Sequence, residues 1–412
     1  MNEHESTVDV LIVGGGIHGV GVAQAAAAAG YEALLLEARE VAAGTSSRSS
    51  KLIHGGLRYL ESWQLGLVRE SLRERAILCR IAPDLVRLVP FFVPVYRETS
   101  RRPWELRAGL SLYALLGNLR SDAWFRSVPR STWDQLDGLV TSDLQAVFRY
   151  YDGQTDDAHL SRAVLRSAEE LGARSVVPGA LLEARRQDSG YSVRYRDETG
   201  DERTLGCRTL VNAAGPWVEE VRGTIEPRMP GFELDLVAGT HIELEGQIER
   251  GIYYCEAPRD RRAVFVIPWK GRTMVGTTEL SYRGDPARVE PTGDEVSYLE
   301  EVLHHYFPHH RGQRVDAWAG LRVLPRGEGA AFSRPRETTF VVDDTDKPRA
   351  LAIYGGKLTG YRATAEKVMQ RLAPSLPARM RRAHTSELKL TPDANAQAPQ
   401  GTGAKRQEAR SR

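Results

Sequence analysis

The feature that most restricts the fold of this chain is a glycine-rich turn close to its start. Gly14, Gly16 and Gly19 form a Gly-x-Gly-x-x-Gly motif after the short β-branched run VDVLIV at Val8–Val13. An alanine-rich segment and a second apolar run, EALLLE, follow the motif. This order predicts a buried strand, a turn, a packed helix and a second buried strand. Together they are a βαβ unit, which is typical of a doubly wound α/β domain.

The same turn predicts a dinucleotide site. Glycines at these positions permit the tight turn and let the backbone approach a pyrophosphate at the N-terminus of the helix. Glu37 ends the second strand, where a carboxylate accepts hydrogen bonds from the ribose of an adenosine. The strands, the helix and the acid are all in place, so a turn without a ligand is the weaker interpretation. The motif alone does not distinguish NAD from FAD.

Composition excludes several other classes of protein. With 412 residues, 41% of them hydrophobic and 27% charged, the chain is typical of a globular protein with two intertwined domains. Its net charge of +2 argues against a nucleic-acid binder. Cys79, Cys207 and Cys255 lie far apart, which favours neither a disulfide framework nor a metal site.

The N-terminus does not resemble a secretory signal, and no apolar stretch is long enough to span a bilayer, so we expect a cytoplasmic protein.

The segment from Gly44 to Leu60, GTSSRSSKLIHGGLRYL, favours a flavin. Hydroxyl groups on Thr45, Ser46 and Ser47 are suited to a phosphate or a ribityl chain. The Gly-Gly pair that follows would let the backbone contact a flat ring. A merely flexible serine loop is the alternative, but basic and aromatic residues interrupt the serines and surround the glycine pair.

The piece SSKLIHGGLRYLE resembles the flavin-contacting segment of the FAD-dependent glycerol-3-phosphate dehydrogenases, in the D-amino-acid-oxidase-like superfamily. Further similar segments follow in the order of that family, and the resemblance extends from about residue 7 to residue 375. They are TLVNAAGPW (Thr209–Trp217), GTHI (Gly239–Ile242), VFVIPW (Val264–Trp269), GTTELSYRGDP (Gly276–Pro286), AGLRVLP (Ala319–Pro325) and YGGKLTGYR (Tyr354–Arg362).

The resemblance implies an α/β fold in which a Rossmann-like, doubly wound FAD-binding domain is interleaved with a mainly antiparallel α+β substrate domain. Residues 7–90, 150–225 and 340–375 are expected to form the FAD-binding domain, and residues 91–149 and 226–339 the substrate domain. Residues 376–412 are polar and are expected to form a disordered tail. Longer members of the family carry a helical domain after the GGK segment, for which Pro374–Arg412 is too short.

The resemblance also implies that FAD is the cofactor and that no metal takes part. The residues expected to contact FAD lie in the glycine turn, the serine-rich segment, the strand near the adenine, the second motif and the GGK segment. They are Gly14, Gly16, Gly19, Glu37, Thr45, Ser46, Ser47, Ser50, Lys51, Leu52, His54, Val177, Ala214, Gly215, Trp217, Gly356, Lys357, Leu358 and Thr359.

The implied reaction is the oxidation of sn-glycerol 3-phosphate to dihydroxyacetone phosphate by hydride transfer to flavin N5, with a quinone as the next electron acceptor. Arginine suits the bidentate capture of phosphate, and several cations are expected around the dianion. The expected phosphate ligands are Arg58, Tyr59, Arg322, Arg334 and Lys357, although Arg336 could replace Arg334. The expected catalytic residues are His54, His241, Arg322 and Lys357, and the identity of the base is left open.

The motifs are also compatible with functions other than a glycerol-3-phosphate dehydrogenase. An amine or amino-acid oxidase of the same superfamily, or a non-catalytic flavin protein, is the competing interpretation. The chain departs from the family at Arg322, where GLRVLP replaces GxRPL, and at Gly360, where the family has threonine. The expected partners are a phosphorylated alcohol and a quinone or other acceptor, without nucleic acid. Peripheral association of the amphipathic segment Pro103–Leu116 with the inner face of the cell membrane, and a homodimer, are further hypotheses.

Overall fold

Two β-sheets with helices packed on them make up the protein. The computed structural model describes residues 7–120, 123–326 and 338–392. Its α-helices are α1 (Ile17–Ala28), α2 (Leu65–Ile81), α3 (Pro103–Leu116), α4 (Asp157–Glu170), α5 (Val218–Gly223), α6 (Gly293–Tyr306) and α7 (Tyr361–Leu372). Its strands are β1 (Thr7–Val13), β2 (Ala33–Leu36), β3 (Leu52–Ile53), β4 (Val86–Tyr96), β5 (Arg126–Ser127), β6 (Leu144–Thr155), β7 (Arg174–Val176), β8 (Ala180–Gln187), β9 (Gly190–Arg196), β10 (Glu202–Asn212), β11 (Ile225–Glu226), β12 (Leu234–Leu244), β13 (Ile252–Glu256), β14 (Ala263–Trp269), β15 (Arg272–Gly276), β16 (Leu280–Tyr282), β17 (Arg314–Pro325), β18 (Thr339–Val342) and β19 (Ala350–Tyr354).

The first sheet contains the predicted βαβ unit. Its parallel core runs β7–β2–β1–β10–β19, with β1 at the centre. Strand β10 has two partners on its other edge, because its first residues pair antiparallel with β9 and its last residues pair parallel with β19. The carboxyl ends of the parallel strands therefore meet at one edge of the sheet, where ligands bind in folds of this kind.

Helix α1 is enclosed on both sides. Every residue of α1 is fully buried except His18, which is half-buried, and the helix packs against α4 and α7. Small side chains make this close approach possible, since a Cβ added to Gly21 would lie 2.8 Å from the ring of Tyr361. Residues of β1 and α1 thus share one core with residues of α7.

The second sheet is mainly antiparallel, as predicted. Its strands run β16–β12–β15–β14–β13–β4–β6–β3, while β17 pairs with β12 and β5 with β6. The exception is β4, which pairs parallel with β13. Apart from the short β3, these strands come from two stretches of the chain, residues 86–155 and residues 234–325. The α/β architecture predicted from the sequence is confirmed.

The alternating segment Tyr191–Tyr195 lies in β9, which pairs antiparallel with β8 and β10 in the first sheet. One expectation differs from the structure. Residues 376–392 were expected to belong to a disordered tail, but they pack along the first sheet's helices. The backbone N–H of Arg382 donates to the carbonyl of Ala28, and that of Leu390 donates to the carbonyl of Ile81. The rest of the expected tail lies outside the described residues.

Candidate active site

A cavity of about 640 Å³ lies where the two sheets meet. Six segments far apart in the sequence contribute to its wall: the glycine-rich turn, the serine-rich segment with its HGG turn, the second motif, strand β12, its neighbour β17, and the GGK segment. The segments whose motifs predicted ligand contacts are therefore brought together around one cavity.

Two glycines of the glycine-rich turn occupy positions where no side chain would fit. Gly14 has a φ of +108°, and a Cβ there would lie 2.6 Å from the carbonyl oxygen of Ala213. A Cβ on Gly19 would lie 1.8 Å from the carbonyl oxygen of Gly14. Gly14 and Gly16 line the cavity, whereas Gly19 lies behind them and allows β1 and α1 to approach closely. The N-terminus of α1 consequently faces the cavity, as a pyrophosphate requires.

Glu37 is fixed at the end of β2 by the backbone. Its two carboxylate oxygens accept hydrogen bonds from the N–H groups of Gly15, at 2.6 Å, and Arg39, at 2.9 Å. The guanidinium of Arg39 stacks 4.7 Å above the ring of Trp217, which belongs to the second motif. Val177 follows β7 beside Glu37 but is not among the residues that line the cavity, where Gly179 is found instead. This end of the cavity has the carboxylate and flat surfaces that an adenosine needs.

Hydroxyl groups of the serine-rich segment connect the two sheets. Thr45 donates to the carbonyl of Leu321 at 2.7 Å, and Ser46 accepts from the N–H of Ile17 at 2.9 Å. Ser50 is hydrogen-bonded to Nε2 of His241 at 2.9 Å. Lys51 points away from the cavity, because its ammonium group donates to Asp157 at 2.6 Å and to the carbonyl of Ser47 at 2.5 Å. These contacts hold the segment against the cavity.

A buried polar network, which sequence reasoning missed, supports the HGG turn. The N–H of Gly55 donates to the hydroxyl of Tyr113 at 3.0 Å and to Asp152 at 3.3 Å. Tyr113 donates to the same carboxylate at 2.7 Å, and Arg75 donates to it at 2.7 Å. Arg75, Tyr113 and Asp152 are almost completely buried. No local motif reveals this network, because its members lie on α2, α3 and β6.

The HGGLRY and GGKLTGYR segments contact each other across the cavity. The ammonium nitrogen of Lys357 lies 3.5 Å from the centre of the Tyr59 ring, and the guanidinium carbon of Arg58 lies 5.8 Å from it. Gly56 and Gly356 adopt φ values of +77° and +107°, which other residues rarely tolerate. The two motifs therefore place two cations around one phenol ring.

Arg322 reaches the cavity from β17. It donates to the carboxylate of Glu279 at 2.8 Å and to the hydroxyl of Thr277 at 3.3 Å. Gly239 on the adjacent strand makes room, since a Cβ there would lie 3.0 Å from a guanidinium nitrogen of Arg322. Arg262, which the sequence did not single out, also lines this end of the cavity. Arg334, an expected phosphate ligand, lies outside the described residues, as does its alternative Arg336.

The two predicted histidines differ in their surroundings. The backbone N–H of His54 donates to the hydroxyl of Thr359 at 3.1 Å, and the residue lines the cavity. His241 is buried and stacks on Trp318, with ring centres 5.7 Å apart. Burial, together with the positive charges of Arg322 and Lys51, lowers the pKa of His241 to about 3, because each of them disfavours the charged form. His241 is therefore a neutral imidazole at pH 7.

A third histidine at the cavity was not predicted. His18 lies inside the glycine motif, and its imidazole packs on Gly356 of the GGK segment. Burial lowers the pKa of His18 to about 4, and its Nδ1 atom is buried without a hydrogen-bond partner in the described part of the chain. The signal in the sequence was an imidazole in a turn otherwise made of small and apolar residues.

Most of the predicted site residues line the cavity. Those that do are Gly14, Gly16, Glu37, Thr45, Ser46, Ser50, Leu52, His54, Arg58, Tyr59, Ala214, Gly215, Trp217, His241, Arg322, Gly356, Lys357, Leu358 and Thr359. Those that lie behind its wall are Gly19, Ser47, Lys51 and Val177. In residues 7–120, 123–326 and 338–392, no group of three or more His, Cys, Asp or Glu residues is arranged to hold a metal ion.

The residues present fit a dinucleotide that carries a flat ring. A glycine cradle that a Cβ would fill lies at a helix N-terminus, and a fixed carboxylate lies at the end of the adjacent strand. Hydroxyl groups and a glycine-rich segment continue along the cavity toward the cations. FAD would be held in this order by the turn, Glu37, the serine-rich segment and the GGK segment.

Comparisons with known proteins agree with this fit. A family described as FAD dependent oxidoreductase (DAO) matches residues 9–362. D-erythritol 1-phosphate dehydrogenase of Brucella abortus is 34% identical over 376 residues, which are 90% of this chain and 74% of that protein. Glycerol-3-phosphate dehydrogenase of Pseudomonas aeruginosa is 36% identical over 375 residues, or 89% of this chain and 72% of that protein.

A solved structure extends the comparison to three dimensions. Glycerol-3-phosphate dehydrogenase from Bacillus halodurans, complexed with FAD, superimposes with a TM-score of 0.70 and 27% identity, covering 95% of this chain and 68% of that one. The sequence resemblance, the predicted fold class and the predicted cofactor are thereby confirmed. The chain belongs to the DAO family of FAD-dependent oxidoreductases.

Proposed function

We propose that this enzyme is a glycerol-3-phosphate dehydrogenase, which oxidises sn-glycerol 3-phosphate to dihydroxyacetone phosphate. The observation that carries the proposal is the cationic lining of the cavity. Arg58 and Lys357 lie beside the ring of Tyr59, and Arg262 and Arg322 line the same cavity. A phosphate dianion is bound best by several cations, and arginine matches two of its oxygens at once. Two relatives are named as dehydrogenases of phosphorylated alcohols, which supports the same class of substrate.

Arg58, Tyr59 and Lys357 are our proposed phosphate ligands. They come from the two most distinctive motifs, and the contact between Lys357 and the Tyr59 ring brings a positive charge and a hydroxyl donor to one side of the cavity. The phosphate would anchor the substrate, while its carbon chain extends toward Arg322 and the histidines. Binding energy from the phosphate would then orient the reacting carbon.

We assign removal of the hydroxyl proton to His54. FAD, when bound, supplies the acceptor for the hydride. An imidazole is suited to accept a proton near neutral pH, but His241, with its pKa lowered to about 3, cannot hold one there. His54 lines the same cavity on the HGG turn, which the network of Arg75, Tyr113 and Asp152 holds in place. His241 would instead act as a neutral partner of Ser50.

The arrangement of Arg322 disfavours an amine or amino-acid oxidase. Such an enzyme needs an arginine that takes the carboxylate of its substrate. Arg322 already pairs with the carboxylate of Glu279 at 2.8 Å, so its charge is partly neutralised. A non-catalytic flavin protein would have no need for four cations in the lining of its cavity.

The proposal is tested by anaerobic titration of the purified enzyme with sn-glycerol 3-phosphate while flavin absorbance is followed. We expect bleaching of the oxidised flavin band at ~450 nm, a property of the cofactor, and formation of dihydroxyacetone phosphate. D-erythritol 1-phosphate is the matched comparison, because a relative is named for it. If the flavin stays oxidised with sn-glycerol 3-phosphate but bleaches with D-erythritol 1-phosphate, the proposed substrate is replaced by D-erythritol 1-phosphate. Flavin that stays oxidised with both would remove the proposal.

We further propose that the electrons pass to a quinone at a membrane surface. Helix α3 and the segment after it expose several large apolar side chains, and arginines flank them at positions 101, 102 and 120. The exposed residues are Trp104, Leu115, Leu119 and Trp124. A helix with apolar and cationic faces of this kind can lie in the headgroup region of a bilayer. None of the described helices is long and apolar enough to cross a membrane.

Binding to vesicles that contain anionic lipid tests this second proposal. Replacing Trp104 and Leu115 together with serine should weaken partition by at least about tenfold, because two large apolar side chains lose their contact with the bilayer. Met380→Ser is the control, since Met380 is 89% exposed but lies on the segment after α7. Equal partition of the double variant and the parent would argue against membrane association through α3.

A further inference from the structure

A buried carboxylate lies in the cationic wall of the cavity. The side chain of Glu279 is only 7% exposed, and it pairs with Arg322, whose side chain is 24% exposed. Carboxylates are seldom buried, and one placed where an anionic substrate is expected works against the binding of that anion. Glu279 was not among the site residues expected from the sequence.

The surrounding structure fixes the position of this carboxylate. Arg262 donates to the backbone carbonyl of Glu279 at 3.1 Å, and Thr277, two residues before it, accepts from Arg322 at 3.3 Å. Arg322 itself is on β17, in register with Val237 of β12, and it occupies the space that Gly239 leaves open. Both partners of the ion pair are therefore part of the packed wall rather than mobile surface groups.

The ion pair changes what this part of the wall can bind. A lone arginine attracts any anion, but an arginine paired with a glutamate presents donors and an acceptor side by side. A hydroxyl group both donates and accepts hydrogen bonds, so it matches such a pair. A carboxylate has only acceptors and would lie against the negative charge of Glu279, which is unfavourable at low local dielectric.

We propose that Glu279 is a specificity-determining residue that restricts the substrate to phosphorylated polyols with an uncharged, hydroxylated end. Phosphorylated hydroxy acids, which carry a second anionic group, are rejected by its charge. The inference rests on the proposed function, because it assumes that Arg58 and Lys357 take the phosphate. The inference adds that, beside the reacting hydroxyl, the site accepts an uncharged hydroxylated group and rejects an anionic group.

Competitive inhibition by racemic 3-phosphoglycerate tests this inference. In this probe a carboxylate replaces the terminal hydroxymethyl group of glycerol 3-phosphate. Glu279→Gln keeps the size of the side chain and removes its charge, so we expect the ratio of the inhibition constant for the probe to the KM for glycerol 3-phosphate to fall by at least about tenfold. Glu279→Asp retains the charge and should keep the ratio near that of the parent.

Two further variants make the comparison decisive. Glu233→Gln removes the charge from another glutamate–arginine pair, Glu233–Arg326, whose residues directly flank β12 and β17. Glu233 is 75% exposed and lies outside the cavity. In Glu233→Gln the ratio of the probe's inhibition constant to the KM for glycerol 3-phosphate should equal that of the parent. Glu279→Ser is a second uncharged variant, for use if the glutamine variant does not retain FAD, and the same fall is expected.

The possible failures are distinguishable. If glycerol 3-phosphate does not bleach the flavin of the parent enzyme, the proposed function fails, and the probe's dissociation constant from flavin difference spectra should still tighten in Glu279→Gln. If the parent is bleached normally but the ratio is unchanged in the uncharged variants, Glu279 only orients Arg322 and the inference is overturned. Equal rises in KM and in the inhibition constant would overturn it as well.

Discussion

Replacing Gly19 with alanine is expected to give a protein that is purified with little or no FAD. The added Cβ would lie 1.8 Å from the carbonyl oxygen of Gly14, a backbone atom that cannot rotate away. Gly14 is itself confined, since it has a φ of +108° and lies against Ala213. The N-terminus of α1 must therefore move away from β1, and the cradle for the pyrophosphate is lost. We expect the free energy of unfolding to fall by about 3 kcal/mol, the upper part of the range for overpacking.

The ratio of flavin to protein absorbance measures the first effect, and urea-induced unfolding measures the second. Gly109→Ala is the matched control, because Gly109 lies within α3 and the added Cβ would have no atom within 4 Å apart from its neighbours and the backbone of its own helix. Alanine in a helix is favoured over glycine by about 0.5–1 kcal/mol, so this variant should keep its FAD and be slightly stabilised. A Gly19→Ala protein with normal FAD content would show that the turn is not the cofactor cradle.

Removal of the charge on Asp152 is expected to cause the second large loss. Burial raises the pKa of Asp152, but the guanidinium of Arg75 and the hydrogen bonds from Tyr113 and Gly55 counter this effect. In Asp152→Asn the buried guanidinium loses its counter-charge. Breaking a buried ion pair from one side costs about 3–5 kcal/mol, which we expect to appear in the free energy of unfolding. Reduction of the flavin should also slow, because the HGG turn that carries His54 loses its support.

The control for this prediction is Asp143→Asn. Asp143 pairs with Arg97 at 3.8 Å, and both side chains are more than half exposed. Such exposed pairs contribute about 0–1 kcal/mol. Restoring neutrality in the double variant Arg75→Met, Asp152→Asn should recover part of the lost stability. If Asp152→Asn were no more destabilising than Asp143→Asn, the buried network would not be what holds the HGG turn.

Local patterns predicted the βαβ unit at the glycine-rich turn well. The glycine turn, the second strand and Glu37 follow one another closely in the sequence, and their geometry follows from chain direction and helix periodicity. The amphipathic segment Pro103–Leu116 forms a helix with those bounds in the structure, and Gly117 follows its last residue. Proline is favoured at the first position of a helix. Where one element determines its own conformation, the sequence was sufficient.

Contacts between distant segments were not predictable in the same way. The alternation in Tyr191–Tyr195 identifies a strand but not the sheet that it joins, because both sheets accept the same pattern. Lys51 looked like a cofactor ligand until the structure showed Asp157, 106 residues later, as its partner. The pairing of Glu279 with Arg322 depends on the register of β12 with β17 and β16, which no single segment specifies.

The enclosure of α1 has a consequence for how the protein is made. Helix α1 packs against α7, which follows it only after most of the described chain, so α7 is synthesised long after α1. Until then the apolar surface of α1 has no native partner on that side, and contacts of such long sequence separation form slowly. The helical layer around α1 is thus completed only once α7 has been synthesised, and before that the uncovered apolar side of α1 favours aggregation.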